Sequence, residues 1–181
     1  MPHPVPVPGS VKSRLIQAGI AQFEQHGYER TSVLDLARDA GVTTGALYHH
    51  FGSKLGLYAV IRDEMERRMT DRMEGAAAAL GGGRAGVRAA LLVTFDAAVR
   101  FGATRILAEA RPDAAPDPVA ATVDRLIESS PVAARCVVAA WRAALLAVAE
   151  GIDPGVARSG IAWVMASTEE QVGEAGGRPT D

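Results

Sequence analysis

The side chains best suited to chemistry lie in one short stretch, residues 31–54, with the sequence TSVLDLARDAGVTTGALYHHFGSK. Its second half is rich in small, hydroxylated and aromatic residues, which suit a nucleic-acid groove better than a protein core. Hydroxyl groups and a lysine can donate hydrogen bonds to phosphates, and a threonine methyl or a tyrosine ring can contact a thymine methyl. The stretch therefore predicts a surface that binds DNA.

Two short helices joined by a tight turn must position this surface. Thr31 or Ser32 can cap the first helix, and Asp35 stands where the acid of a capping box would be. Gly41 can adopt the positive φ that a sharp turn requires, and Thr43 is the natural N-cap of the second helix. The pattern is that of a helix-turn-helix. The first helix has a buried face at helical spacing: Val33, Leu36, Ala37 and Ala40.

The second helix is predicted from Thr44 to about His50, and its two faces differ in character. Leu47 and Phe51 are four residues apart, so we expect them to face the core with Val42 beneath the turn. Gly52 is expected to end the helix. The side chains on the opposite face then point outward: Thr44, Gly45, Tyr48 and His49.

The adjacent pair His49-His50 suggests two further chemistries, metal binding and acid–base catalysis. Neighbouring helical residues point about 100° apart, so one ion cannot easily bind both rings from one face. No acidic residue stands at a spacing that would orient either ring as a base. We expect one histidine on the backbone of a nucleic acid and the other against the helix predicted from Val11 to His26, with no metal, no cofactor and no enzymatic activity.

The net charge limits how a nucleic acid could be bound. The chain of 181 residues has 19 Lys and Arg against 21 Asp and Glu, a formal net charge of -2. This balance argues against bulk electrostatic attraction to DNA, so any binding must be local. Between Lys12 and Lys54 the sequence has only five Lys and Arg against four acids.

The rest of the sequence predicts helices and no sheet, so the fold class is all-α. Apolar residues recur at helical spacing from Val11 to His26 and in a long fourth helix from residue 53 to about 74. Residues 75–86, with three consecutive glycines, predict a frayed helix end and a flexible link. Further helices are expected at about 87–101, 104–110, 119–127 and 132–150, and from Pro154 to a frayed end after Glu169. Residues 1–10 carry four prolines and predict a disordered arm.

The single cysteine and the hydropathy pattern indicate in which cellular compartment the protein works. Cys136 cannot form a disulfide within the chain, and its neighbours Val137 and Val138 favour a buried thiol over a reactive one. The first nine residues lack the basic and apolar regions of a secretory signal. No run of about 20 apolar residues is free of charges and helix breakers. We expect a cytoplasmic protein without a membrane partner.

Taken together, residues from about 12 to 58 resemble the N-terminal domain of TetR-family transcriptional regulators. The resemblance rests on the segments FEQHGYERTSV, ARDAGVTTGALYHHFGSK and GLY in this order. It implies a three-helix DNA-binding domain at residues 11–52 and a helical regulatory and dimerisation domain at residues 53–172, followed by a flexible tail at 173–181. Leu34 and Leu55 depart from the family, which commonly has polar residues there.

The resemblance also implies roles for individual residues of the helix-turn-helix. The second helix of the motif becomes the recognition helix, with Thr44, Gly45 and Tyr48 as candidates for contact with base edges. Contacts with phosphates are expected from four residues, of which the lysine is the main candidate: Thr31, Thr43, His49 and Lys54.

A small-molecule effector pocket is implied within the second domain. The alternative for the apolar candidates is ordinary core packing, and Arg105 with Glu109 can instead form an exposed ion pair. The candidate lining residues are Met65, Met69, Phe95, Phe101, Arg105 and Trp141.

The last two predicted helices carry more apolar surface than one small bundle needs, which favours a homodimer on a pseudo-palindromic DNA site. The candidate interface residues are Val138, Leu145, Ile161 and Trp163; the alternative places both tryptophans in an internal core. The predicted function is a homodimeric repressor that a small-molecule effector releases from its operator. A helical small-molecule-binding protein and a DNA-binding regulator without an effector remain alternatives.

Overall fold

The computed structural model describes residues 9–127 and 131–173, and every regular element within these ranges is an α-helix. This confirms the all-α prediction. The predicted arm lies mostly, and the predicted tail almost entirely, outside the described residues. In chain order the helices are α1 Val11–His26, α2 Val33–Asp39, α3 Thr44–Phe51, α4 Lys54–Ala79, α5 Gly83–Arg100, α6 Thr104–Ala108, α7 Pro118–Ile127, α8 Pro131–Ala149 and α9 Pro154–Gly173.

The first of two hydrophobic cores joins α1, α2 and α3 to the beginning of α4. We call this part of the molecule the N-terminal unit. Its centre is fully buried because each helix turns its apolar stripe inward, and Ile106 of α6 also packs into it. The core residues from the N-terminal unit are Leu15, Ala18, Phe23, Leu36, Ala40, Leu47, Leu57, Tyr58 and Ile61.

The second core lies among the remainder of α4 and helices α5 to α9, which we call the bundle. Trp141 of α8 is completely buried at its centre, and its indole Nε1 donates a hydrogen bond to the carbonyl of Leu91 at 3.1 Å. Met69 and Met73 of α4 contribute to the same core. Helix α4 therefore belongs to both cores and connects them through one continuous rod.

The predicted flexible link at residues 75–86 is largely wrong. Helix α4 continues to Ala79 because the alanines are strong helix formers and Ala77 is buried against α5. The chain then turns at Gly81 and Gly82, and α5 begins at Gly83. A Cβ at Gly86 would lie 3.0 Å from the Ala77 carbonyl oxygen, so a larger residue there would require α4 and α5 to move apart by a few tenths of an ångström.

The prediction of a buried thiol at Cys136 is wrong, since this residue is exposed. Helix α8 turns Ala134, Val138 and Trp141 into the bundle, and a residue two positions before Val138 lies on the opposite face of a helix. The apolar residues next to Cys136 in the sequence therefore do not indicate on which face of α8 the thiol lies.

By length and composition, residues Val132–Ala149 of α8 are apolar enough to cross a membrane, which the sequence analysis did not anticipate. Only its inner face, including Trp141 and Leu145, is buried within the chain. A helix that packs in a protein core and carries a second apolar face has the same length and apolar composition. The finding therefore identifies apolar surface on the outside of the bundle.

Candidate nucleic-acid interface

The turn before α3 and the ends of α2 and α3 have the geometry that the sequence predicted. Ser32 is the N-cap of α2 and its Oγ accepts a hydrogen bond from the Asp35 amide at 3.1 Å. Thr43 is the N-cap of α3 and accepts from the Ala46 amide at 3.3 Å. Gly41 has φ +61°, the left-handed conformation that glycine adopts without strain. Local hydrogen bonds and one glycine therefore fix the direction of α3.

Helix α3 turns one side into the N-terminal unit and the other toward solvent. Leu47 is completely buried, and Val42 and Phe51 pack partly buried against the same core. On the opposite side Tyr48 is 53% exposed and His49 is exposed. The structure thus confirms which residues anchor α3 and which face outward, although His50 is exposed rather than packed against α1.

Gly45 stands in the first turn of this outward face and has open space around it. A Cβ built there would have only the Thr43 Oγ1, at 3.7 Å, within contact distance. Nothing inside the protein requires glycine at this position, and glycine weakens a helix interior. The absence of a side chain leaves the backbone of α3 open to close approach by a ligand.

Lys54 does not project freely from α4. Its Nζ donates hydrogen bonds to the carbonyls of Tyr28 at 2.9 Å and Thr31 at 3.0 Å, and lies 4.1 Å from the centre of the Tyr28 ring. An ammonium group has three N–H donors, so one remains for an anion. Lys54 therefore first fixes the loop before α2, a role that the sequence analysis missed.

The predicted phosphate contact through the side chain of Thr31 is wrong. Thr31 is only 3% exposed, and its hydroxyl donates to the carbonyl of Gly27 at 2.8 Å. This hydrogen bond satisfies a carbonyl at the end of α1, whose last turn lacks partners within the helix. The hydroxyl is therefore a structural group.

The cations of this surface are partly neutralised by neighbouring acids. Arg38 forms ion pairs with Asp35 at 2.8 Å and with Asp39 at 3.3 Å. The hydrogen bond from Ser32, followed by the charge of Arg38, holds the pKa of Asp35 below its ordinary value. Arg14 reaches the carbonyl of Gly41 at 3.4 Å. The surface is weakly charged, as the sequence indicated.

Comparison with known proteins gives a consistent result for this region. Residues 15–61 match the family described as "Bacterial regulatory proteins, tetR family". The probable acrEF/envCD operon repressor of Escherichia coli (strain K12) is 47% identical over 47 residues, which are 26% of this chain and 21% of that protein. The chain spans about a fifth of the length of the first curated relatives it matches.

Solved structures extend the similarity to most of the chain. A TetR-family transcriptional regulator (ECA1819) from Pectobacterium atrosepticum is 25% identical with a TM-score of 0.61, and the match covers 84% of this chain and 89% of that one. Residues 15–61 therefore form a domain of the TetR family, and the similarity of fold extends over most of the chain. A SmeT–triclosan complex has the same fold, with a TM-score of 0.57, 18% identity and coverage of 87% and 90%.

The six pocket residues expected from the TetR family fall into two groups. Met69, Phe95 and Trp141 are buried core residues, and Met65 is partly buried between the two cores. The other two lie outside the bundle core. Phe101 is exposed beneath the guanidinium of Arg72, and Arg105 lies between α1 and the end of α8.

The expected dimer contacts of the TetR family are also only partly in place. Val138, Leu145 and Ile161 are buried within the chain's own bundle, so their assignment to an interface between subunits is wrong. Trp163 differs from them, since it is 71% exposed on α9, and the completely buried Trp141 shows that the two tryptophans have separate roles. The pattern was ambiguous because both faces of these helices are apolar.

Charged residues of α4 form an internal network that the sequence analysis missed. Arg62 and Glu66 are completely buried and form an ion pair at 2.6 Å, and Glu66 also pairs with Arg111 at 2.6 Å. Both α4 residues fall within the apolar stripe of that helix, which was the available signal. Among the described residues, no three His, Cys, Asp or Glu side chains are placed to hold a metal ion.

Proposed function

We propose that this protein is a sequence-specific DNA-binding transcriptional regulator that acts as a homodimeric repressor and is released from its operator by a small molecule. The observation that carries the proposal is the two-sided α3. Leu47 anchors it in the N-terminal unit, while Tyr48 and Gly45 occupy an outward face with open backbone. A helix presented in this way fits the major groove.

Each exposed group of α3 has a defined task in this proposal. Thr44, Gly45 and Tyr48 contact base edges, where a methyl or ring edge can distinguish thymine from the other bases. Thr43 and His49 contact phosphates beside them, and the remaining N–H of Lys54 points to a third phosphate. With so few free cations, affinity depends on the fit of α3 more than on general attraction to DNA.

Exposed apolar side chains on α8 and α9 support a homodimer. Val132, Val156 and Trp163 are all more than 60% exposed. Large exposed apolar patches are typical of interaction surfaces, and tryptophan is enriched at the centres of such surfaces. A two-fold dimer formed there would present two α3 helices to an inverted repeat.

Release by a small molecule is proposed from the family fold, in which SmeT is known in complex with triclosan. The core around Trp141 is filled by side chains, so we place the effector instead in a groove of about 560 Å³ between α4 and residues 111–118. Its lining includes Asp63, Arg67 and Thr70 and reaches the buried Glu66. A molecule bound there would disturb the charged network next to the N-terminal unit.

The test is retention of genomic DNA fragments, including the region upstream of the protein's own gene, at low salt and with a panel of metabolites. The proposal expects one or a few fragments to be retained by the wild type, lost with Tyr48→Ala and released by a metabolite. If the wild type retains no fragment, the DNA-binding function is wrong. If retained fragments respond to no metabolite, the effector part is wrong.

A further inference from the structure

Helix α6 is too short to be stable by itself and lacks side-chain caps of its own. It has five residues, and the residue before it, Ala103, makes no side-chain cap. Isolated helices of this length do not persist in water, and each helix end leaves backbone groups without partners. The groups that satisfy both ends of α6 must therefore come from elsewhere in the chain.

The first end of α6 is capped by Glu24 of α1. One carboxylate oxygen accepts hydrogen bonds from the amide of Thr104 at 2.8 Å and from its hydroxyl at 2.5 Å. The other oxygen accepts from the amides of Arg105 at 2.9 Å and Ile106 at 3.1 Å. A carboxylate at this position also complements the positive end of the helix dipole. A residue eighty positions earlier thus supplies the entire N-terminal cap.

The other end of α6 is capped by Arg62 of α4. Its guanidinium donates to the carbonyls of Ile106, of Leu107 at 3.3 Å and of Glu109 at 3.0 Å. A cation is favoured at this end for the reason that an anion is favoured at the other. Glu66 at 2.6 Å and the Tyr58 hydroxyl at 3.2 Å are the further partners of this buried guanidinium.

The side chains of α6 join the two cores. Ala103, just before the helix, and Leu107 are buried in the bundle, whereas Ile106 is buried in the N-terminal unit. Arg105 donates to the backbone carbonyl of Glu24 at 3.1 Å and to that of Ala149, at the end of α8, at 2.9 Å. The short helix is therefore attached to the bundle by apolar packing and the Arg105 hydrogen bond, and to the N-terminal unit by Ile106 and the charged caps.

This second attachment has a mechanical consequence. The rod of α4 alone leaves the N-terminal unit free to bend and twist relative to the bundle, because helices deform gently along their length. An attachment away from the α4 axis removes that freedom. We propose that Glu24 and Arg62 are positioning residues whose capping of α6 fixes the orientation of the N-terminal unit on the bundle. The proposal goes beyond DNA binding and does not require it.

The test uses Glu24→Gln in the full chain, with Glu29→Gln as the matched control. An amide keeps the shape of the side chain but replaces one acceptor oxygen with an NH2 group, so in either orientation the backbone amide of Thr104 or those of Arg105 and Ile106 lose their acceptor. Glu29 is exposed and makes none of these contacts. We expect hydrogen exchange at one or more of the amides of Thr104, Arg105 and Ile106 to become about tenfold faster or more in Glu24→Gln and to stay unchanged in the control. Thr104→Val, which removes only the hydroxyl donor, should give a smaller change in the same direction.

A distance measurement separates positioning from simple stability. Spin labels at the exposed Cys136 of α8 and at Gln17→Cys of α1 report the distance between the bundle and the N-terminal unit. The labelled chains are diluted with unlabelled Cys136→Ala protein, so that each assembly carries one labelled chain. We expect a narrow distance distribution in the parent and a broader one in Glu24→Gln. Unchanged exchange in α6, or faster exchange spread evenly over both cores with an unchanged distance distribution, would overturn the proposal.

Discussion

Because there is open space at Gly45, one substitution there should change protein stability and DNA affinity in opposite directions. Gly45→Ala adds a methyl group that meets only the Thr43 Oγ1, at an ordinary contact distance of 3.7 Å. Alanine is favoured over glycine by about 0.5–1 kcal/mol in a helix interior, which is the upper bound for Gly45 in the first turn of α3. The free protein should therefore become more stable by up to this amount, which corresponds to a rise in Tm of roughly 1–4 °C for a domain of this size.

The same methyl group should weaken DNA binding if α3 lies in the major groove with its first turn against the bases. Forcing an extra methyl into a closely packed contact costs about 1–3 kcal/mol, so Kd should rise roughly 5- to 150-fold. Thermal unfolding measures the first effect, and fluorescence anisotropy with a labelled operator fragment measures the second. Opposite signs of the two effects are the expected result.

Gly75→Ala is the matched control for this substitution. Gly75 is an exposed residue inside α4 with no atom within 4 Å of an added Cβ, and it lies outside the N-terminal unit. It should give a similar gain in stability and no change in Kd. The reasoning is refuted if Gly45→Ala binds the operator as tightly as Gly75→Ala does.

Three further predictions address other parts of the account. Lys54→Met should lower the free energy of unfolding by about 1–3 kcal/mol because two carbonyls lose a charged donor, and should reduce the slope of log Kd against log salt by about one phosphate; an unchanged slope would limit Lys54 to its structural role. Trp163→Glu should shift the protein from dimer to monomer in sedimentation at micromolar concentration, and an unaltered dimer mass would remove Trp163 from the interface. Hydrogen bonds from Arg111 hold the pKa of Asp113 at about 2, so this carboxylate stabilises the fold above about pH 4 and ceases to do so as the pH falls through 2. Asp113→Asn should therefore be less stable than the wild type in urea unfolding at pH 7 and equal to it near pH 2, and a constant difference would contradict this assignment.

Features that depend on neighbouring residues could be predicted from the sequence. The caps at Ser32 and Thr43 and the turn at Gly41 lie as expected, because each is determined by a hydrogen bond or a backbone conformation within four residues. The inward position of Leu47 follows from helical spacing in the same way. These local rules located the candidate DNA-binding surface.

Features that depend on distant parts of the chain were missed. The burial of Thr31 and the attachment of Lys54 require the loop after α1 to lie against α4, which no local pattern indicates. Helices α8 and α9 are apolar on two faces, so spacing could not decide that Val138 is internal while Trp163 is exposed. Glu24 caps a helix that follows it by eighty residues. Such contacts arise only when the two cores come together.

The most direct test of the central claim is selection of DNA from a pool of random duplexes by the purified full-length protein, followed by sequencing. If two α3 helices of a dimer bind the major groove, the selected molecules will share an inverted repeat, and the Tyr48→Ala variant will select it with weaker preference at the bases that α3 contacts. Selection that enriches no sequence, or enriches the same sequence equally with Tyr48→Ala, would contradict the assignment of this face to sequence recognition.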